Sequence, residues 1–169
     1  MNNEVLVVLG VQNSMEEKYA SMAKVIENIV EKFKDSLYYG AHIYIVKHKQ
    51  WKGSDESYCL YGTPGFDVVK IMDDAMKLAT YEQMDVITKP SYGSIDLIKA
   101  MKDIKMANAH VTIIGGPEND VVANAALIRS NFKGVNVSVD VSCCYALNER
   151  NRTAMIEILK SLDCDVKGE

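Results

Sequence analysis

The chain has 169 residues, 48% hydrophobic and 25% charged, with a formal net charge of -4 and a pI near 5.4. That balance excludes a fibrous or disordered chain and argues against a nucleic-acid partner, since a phosphate backbone calls for a clustered basic face. One domain over residues 1–169 is expected, large enough for its own core, with small molecules or proteins as partners.

The opening segment, MNNEVLVVLG, lacks the basic start, longer apolar run and small-residue cleavage site of a signal peptide. No stretch approaches the roughly 18 apolar residues of a membrane span. Cys59, Cys143, Cys144 and Cys164 form no CxxC pair. A cytoplasmic chain with reduced thiols and no membrane partner is the expectation.

Val5 to Leu9, VLVVL, is too short for a helix and β-branched enough for a strand buried on both faces, which suits a parallel sheet. After GVQNS, the apolar residues Met15, Tyr19, Met22, Ala23, Ile26, Ile29, Val30 and Phe33 recur three or four apart opposite a charged face. This predicts one amphipathic helix ending near Gly40. His42 to Lys47 reads as a second strand, and strand-helix-strand at this spacing implies a right-handed parallel crossover.

From His48 to Phe66 the glycines, the proline and the polar residues predict a long loop, of the kind that is usually functional. A short helix over Asp67 to about Ala79, a strand near Asp85 to Thr88 and a helix over Ile95 to Lys102 follow. Val111 to Phe132 then gives an apolar strand, a Gly-Gly-Pro turn, an Asn119 able to cap, and a helix. Such a turn aims backbone N-H groups and a helix's positive end at one small space, a common way to build a ligand site. Gly134 ends that helix, VNVSVDV is a late strand carrying Asp140, and Asn148 can cap a final helix bearing Met155, Ile156, Leu159 and Leu162.

Several segments, in order, carry a family likeness: the first strand with Val11-Gln12-Asn13, CLYGTPGF at Cys59 to Phe66, TKPSYGS at Thr88 to Ser94, and VDVSCC at Val139 to Cys144. On these the chain resembles the isochorismatase-like cysteine hydrolases, which include nicotinamidases, over nearly its whole length. The resemblance implies a three-layer α/β/α fold with a mostly parallel sheet. It also implies a triad of aspartate base, lysine and cysteine nucleophile acting on an amide or related carbon. A thiolate at a helix start is stabilised by the helix dipole and a nearby ammonium, and the aspartate moves the proton to the leaving group.

Carried over position by position, only the lysine is kept, as Lys89. Gly10 holds the base position and Val121 the nucleophile position, within the family pattern matched by Gly115 to Val122. Neither side chain can attack or accept a proton. The resemblance further implies a cis bond before Pro117, which proline favours, while the loss of its N-H removes an oxyanion donor worth roughly 100-fold to 1,000-fold in rate. Where nicotinamidase-type members bind a metal, Lys47 to Gln50 reads KHKQ, with His48 in place of an aspartate and Gln50 in place of a histidine. No metal and no other cofactor is expected.

The expected ligand-binding set is Gly10, Gln12, Trp51, Phe66, Lys89, Tyr92, Gly116, Pro117, Asp120 and Val121. Lys89 can hold an anion or remain a solvated charge. Glu118 and Asp120 can serve as replacement acid-base groups or simply complement the helix dipole. Trp51 can stack on an aromatic ligand or pack under its loop. Cys143 and Cys144 are read as buried structural thiols, Cys59 in the loop as slightly more open to a reactive role, and His42 and His110 as structural.

Three functions are consistent with these residues. The first is a non-catalytic protein binding a small aromatic, amide or carboxylate ligand. The second is an amide or related hydrolase using Lys89 with Glu118 or Asp120. The third is a structural or regulatory partner, and because members of the family commonly associate, a homo-oligomer is expected.

Overall fold

A computed structural model describes residues 3–53, 58–102 and 108–169, so part of the loop expected over His48 to Phe66 lies outside the described residues. Among the described residues six strands form one wholly parallel sheet: β1 (Glu4–Leu9), β2 (His42–His48), β3 (Met84–Lys89), β4 (His110–Gly115), β5 (Asn136–Cys144) and β6 (Asp165–Lys167). Their order is β3-β2-β1-β4-β5-β6. The chain winds outward from β1 to β3, returns to lay β4 beside β1, and winds the other way. The crevice beyond the carboxyl ends of β1 and β4 is therefore the topological switch point, where open α/β sheets place ligands. Leu9 is the last β1 residue in register, opposite Val46 on β2 and Gly115 on β4.

The helices that cover the sheet among the described residues are α1 (Asn13–Lys18), α2 (Ile26–Tyr38), α3 (Lys70–Met76), α4 (Ile95–Met101), α5 (Glu118–Asn131) and α6 (Glu149–Ser161). Period-2 alternation in β1 sends Val5, Val7 and Leu9 into a core with α4, α5 and α6. Leu6 and Val8 point the other way, into a core with α1, α2 and α3. The continuous apolar run thus serves two faces, giving three layers and the α/β class that the sequence implies. Among the described residues no helix is long and apolar enough to cross a membrane.

The elements depart from the sequence expectations at a few places. The single helix expected from Met15 is two helices separated by Tyr19–Val25, with a 3-10 turn over Met22–Lys24. Ser21 is tied to the far side of the domain at this break: its hydroxyl donates to Ala146 O at 2.5 Å and accepts from Ala146 N at 3.3 Å. The helix expected over Asp67 to Ala79 is confined to α3 because Val68 pairs antiparallel with Gln12 and Val69 N donates to Val11 O. Asn119 does not cap α5: Pro117 occupies the cap position, and Asn119 sits exposed in the first turn. Asn148 does cap α6, accepting from Asn151 N at 2.9 Å. The short edge strand β6 was not expected from its sequence, DVK, which is too brief to show a period.

Candidate functional site

Four segments meet at the switch point. β1 runs into Gly10, β4 into Gly115-Gly116-Pro117, β2 ends on His48 and β3 ends on Lys89. The Gly116-Pro117 bond is cis. Gly10 is buried with φ at +62°, a conformation open to glycine and strained for other residues. A Cβ there would overlap the carbonyl oxygen of Gly116 and approach the Tyr145 hydroxyl at 2.8 Å. That hydroxyl donates to Gly10 O at 2.7 Å, and burial pushes its pKa well above the ordinary phenol value. The space into which a base at position 10 would project is thus occupied by Gly116 and Tyr145.

Lys89 reaches inward from the end of β3 with its side chain wholly buried. Its Nζ donates to Asp120 Oδ2 at 2.5 Å and to Ser91 O at 2.6 Å, and lies 3.1 Å from His48 Nδ1. Asp120, in the first turn of α5, has a side chain only 1% exposed. A buried charge is tolerable only when paired and hydrogen-bonded, and this pair is both. Asn124, one turn along α5, ties the arrangement down: its Nδ2 donates to Asp120 O and Tyr92 O, and its Oδ1 accepts from Ser94 N. Val121, the next residue after Asp120, is fully buried in the core beneath α5 and contributes only packing.

The glutamines close the remaining side. Gln12 Nε2 donates to His48 O at 2.9 Å and Phe66 O at 2.8 Å, and its Oε1 accepts from His48 N at 2.6 Å. One buried amide therefore joins the end of β2 to the loop that follows. Gln50 Nε2 lies 2.8 Å from His48 Nε2 and donates to Pro90 O at 3.0 Å. Both ring nitrogens of His48 face other nitrogen atoms, and one of these belongs to Lys89. With a histidine hemmed in this way, a neutral glutamine and no group of three His, Cys, Asp or Glu side chains among the described residues, the site does not fit a zinc ion.

The structure thus brings Gly10, Gln12, Lys89, Gly116, Pro117, Asp120 and Val121 into one buried cluster. Phe66 lies half-buried at its edge, under the Lys47 ammonium 3.7 Å from the ring centroid. Trp51 and Tyr92 are not drawn in: they are 59% and 53% exposed. Trp51 packs against Tyr61, with the Lys49 ammonium over both rings. All four cysteines are buried as free thiols; burial pushes Cys59 up to about 12 and Cys143 up to about 11. Tyr145 is the residue that sequence reasoning missed. It follows the buried Cys143-Cys144 pair at the end of β5 and contacts Gly10 across 135 positions. The one local signal was an aromatic residue continuing an apolar strand.

No known sequence family matches the chain, and no curated protein sequence matches it. Solved structures do. The nicotinamidase/pyrazinamidase of Bacillus subtilis superposes with a TM-score of 0.84 at 16% identity, covering 99% of this chain and 100% of that one. The yeast nicotinamidase gives 0.80 at 13% identity, covering 98% of this chain and 100% of the other. A putative isochorismatase hydrolase from Oleispira antarctica gives 0.75 at 17% identity, with 98% and 93% covered. The chain has the fold of the nicotinamidases and isochorismatase-like hydrolases.

Proposed function

We propose that the chain keeps the nicotinamidase and isochorismatase fold without its hydrolytic chemistry and acts by binding a small molecule. The observation that carries the loss of hydrolysis is the closure of the switch point, which leaves a ligand to be taken at another cavity, such as the one of about 470 Å³ bordered by Glu118, Val122 and Met155. Lys89 is neutralised by Asp120 with both side chains out of solvent, and Tyr145 fills the space against Gly10. A hydrolase needs a nucleophile or an activated water within hydrogen-bonding reach of a bound substrate. Val121 supplies no nucleophile, and Asp120 is committed to Lys89.

A second reading rests on that same ion pair. Lysine and carboxylate are both present at the centre, the carboxylate delivered by α5 instead of β1, which is the pairing that a relocated amidase would use. One experiment separates the two. Purified protein is incubated with nicotinamide and pyrazinamide and ammonia release is followed. The binding reading expects no release above the uncatalysed rate. Release at an ordinary enzymatic rate, abolished in Asp120→Asn, would establish the relocated hydrolase and overturn the proposal.

A further inference from the structure

On the other side of the first turn of α5, away from Lys89, a groove of about 470 Å³ runs between α5 and α6. This falls within the range of roughly 300–1,000 Å³ common to small-molecule sites. Val122, Ala123, Ala154, Met155 and Ile158 make its walls. The two alanines keep the helices from filling the space between them. One end is polar and carries Glu118.

Glu118 is the unusual feature. It is only 7% exposed, yet no lysine, arginine or histidine among the described residues pairs with its carboxylate. Two neutral donors serve it: Asn151 Nδ2 to Oε1 at 2.5 Å, and Leu147 N to Oε2 at 3.2 Å. A carboxylate offers about four lone-pair sites, so about half of its accepting capacity remains. The amino-terminal ends of α5 and α6 offset part of the charge. They do not replace a cation, and a buried carboxylate is best satisfied by one. The other buried carboxylate of the same helical turn, Asp120, has its lysine. Glu118 has none, and it lines a cavity.

We infer that the α5–α6 groove is a binding site for a small organic cation, an ammonium group on an apolar or aromatic body, with Glu118 as the anchor. The ammonium head meets the free lone pairs of the Glu118 carboxylate, and the body lies along Val122, Met155 and Ile158. Tyr92, at the rim, is an aromatic neighbour for the apolar body of the ligand. This deepens the binding role proposed above and rests on it only in taking the protein to act by binding. Protein that is inactive on amides and also fails to bind amines would remove this site and leave that reading standing.

The test uses the full chain, labelled for amide NMR, with 2-phenylethylammonium as probe, its neutral isostere 2-phenylethanol, and the anion 3-phenylpropionate. The ammonium is expected to shift amides of residues 118–123 and 151–158, to bind at least about tenfold more tightly than the alcohol, and to outcompete the anion. Glu118→Gln removes the charge while keeping one acceptor oxygen for Asn151 Nδ2 or Leu147 N, and is expected to abolish the preference for the ammonium over the alcohol. Should that variant fold poorly, Ala154→Trp, on the exposed side of α6, fills the groove and is expected to abolish binding of the ammonium. Equal binding of ammonium and alcohol, retention of the preference in Glu118→Gln, shifts confined to other residues, or no shifts would each overturn the site. So would self-association of the chain that covers α6 and leaves it silent to the probe.

Discussion

Removing the charge of Asp120 tests the account of the buried centre most directly. Its carboxylate lies 2.5 Å from Lys89 Nζ, and the two side chains are 1% and 0% exposed, so solvent cannot take over the role of either partner. In Asp120→Asn the ammonium keeps Ser91 O and His48 Nδ1 as neighbours and loses the carboxylate charge beside it. Breaking one member of such a pair costs about 3–5 kcal/mol, whereas replacing both by apolar residues of similar volume is often neutral or stabilising. With a urea m-value of about 2 kcal/mol/M, Asp120→Asn and Lys89→Met are each expected to lower the unfolding midpoint by about 1.5–2.5 M. The Lys89→Met, Asp120→Leu double variant is expected to recover most of that loss. The coupling in this cycle is therefore about 3 kcal/mol or more. Urea titrations followed by circular dichroism, on the three variants and the parent, read it directly. If either single variant were as stable as the parent, or the double variant no better than the weaker single, the pair would not be the buried, mutually dependent unit described here.

Two further outcomes follow, one from the same site and one from the buried thiols. Rebuilding the triad with Gly10→Asp and Val121→Cys is expected to give no ammonia release from nicotinamide, because position 10 has φ at +62° and its Cβ would meet Gly116 O and Tyr145. The Gly10→Asp step alone should cost at least about 2 kcal/mol in the same urea assay, and a soluble, stable, active double variant would refute the packing argument. The buried thiols set the alkaline limit. Cys59 and Cys143 are held protonated in the fold, up to about 12 and about 11, while in the unfolded chain they ionise near 9. The unfolded state therefore binds fewer protons above about pH 9, and stability is expected to fall from there as pH rises. At pH 8 the native thiols should react with a disulfide reagent only as the chain unfolds; a thiol that labels at once in native protein would contradict this.

The sequence made the framework readable because the strongest signals were local. VLVVL could be only a doubly buried strand, and Gly115-Gly116-Pro117 between an apolar strand and a helix could be only a tight turn. The break between α1 and α2 was hidden because the apolar spacing continues through it. The hydroxyl of Ser21 holds it by bonding to Ala146, 125 residues away. The centre was half legible. Lys89 and the absences at positions 10 and 121 came from the family likeness, and Asp120 was visible as an acid in a helical first turn. That Asp120 turns inward to Lys89 while Glu118, two residues earlier, turns to α6 depends on helical phase and on what each face meets. Tyr145 could not be placed against Gly10 before β5 was set beside β4.

The packing of Tyr145 against Gly10 also bears on how this chain can change over generations. A path from it to a hydrolase needs a smaller residue at 145, a carboxylate at 10 and a thiol at 121. Taken singly, the first opens a hole costing about 3–5 kcal/mol and the second forces a side chain into occupied space. A typical fold stands only about 5–15 kcal/mol above its unfolded chain, so either step uses a large share of that margin and returns no activity until all three are present. Drift can cross such ground in one direction far more readily than in the other. On the non-hydrolytic reading proposed above, the tyrosine acts as a ratchet: selection for stability alone is enough to keep a hydrolytic triad from forming.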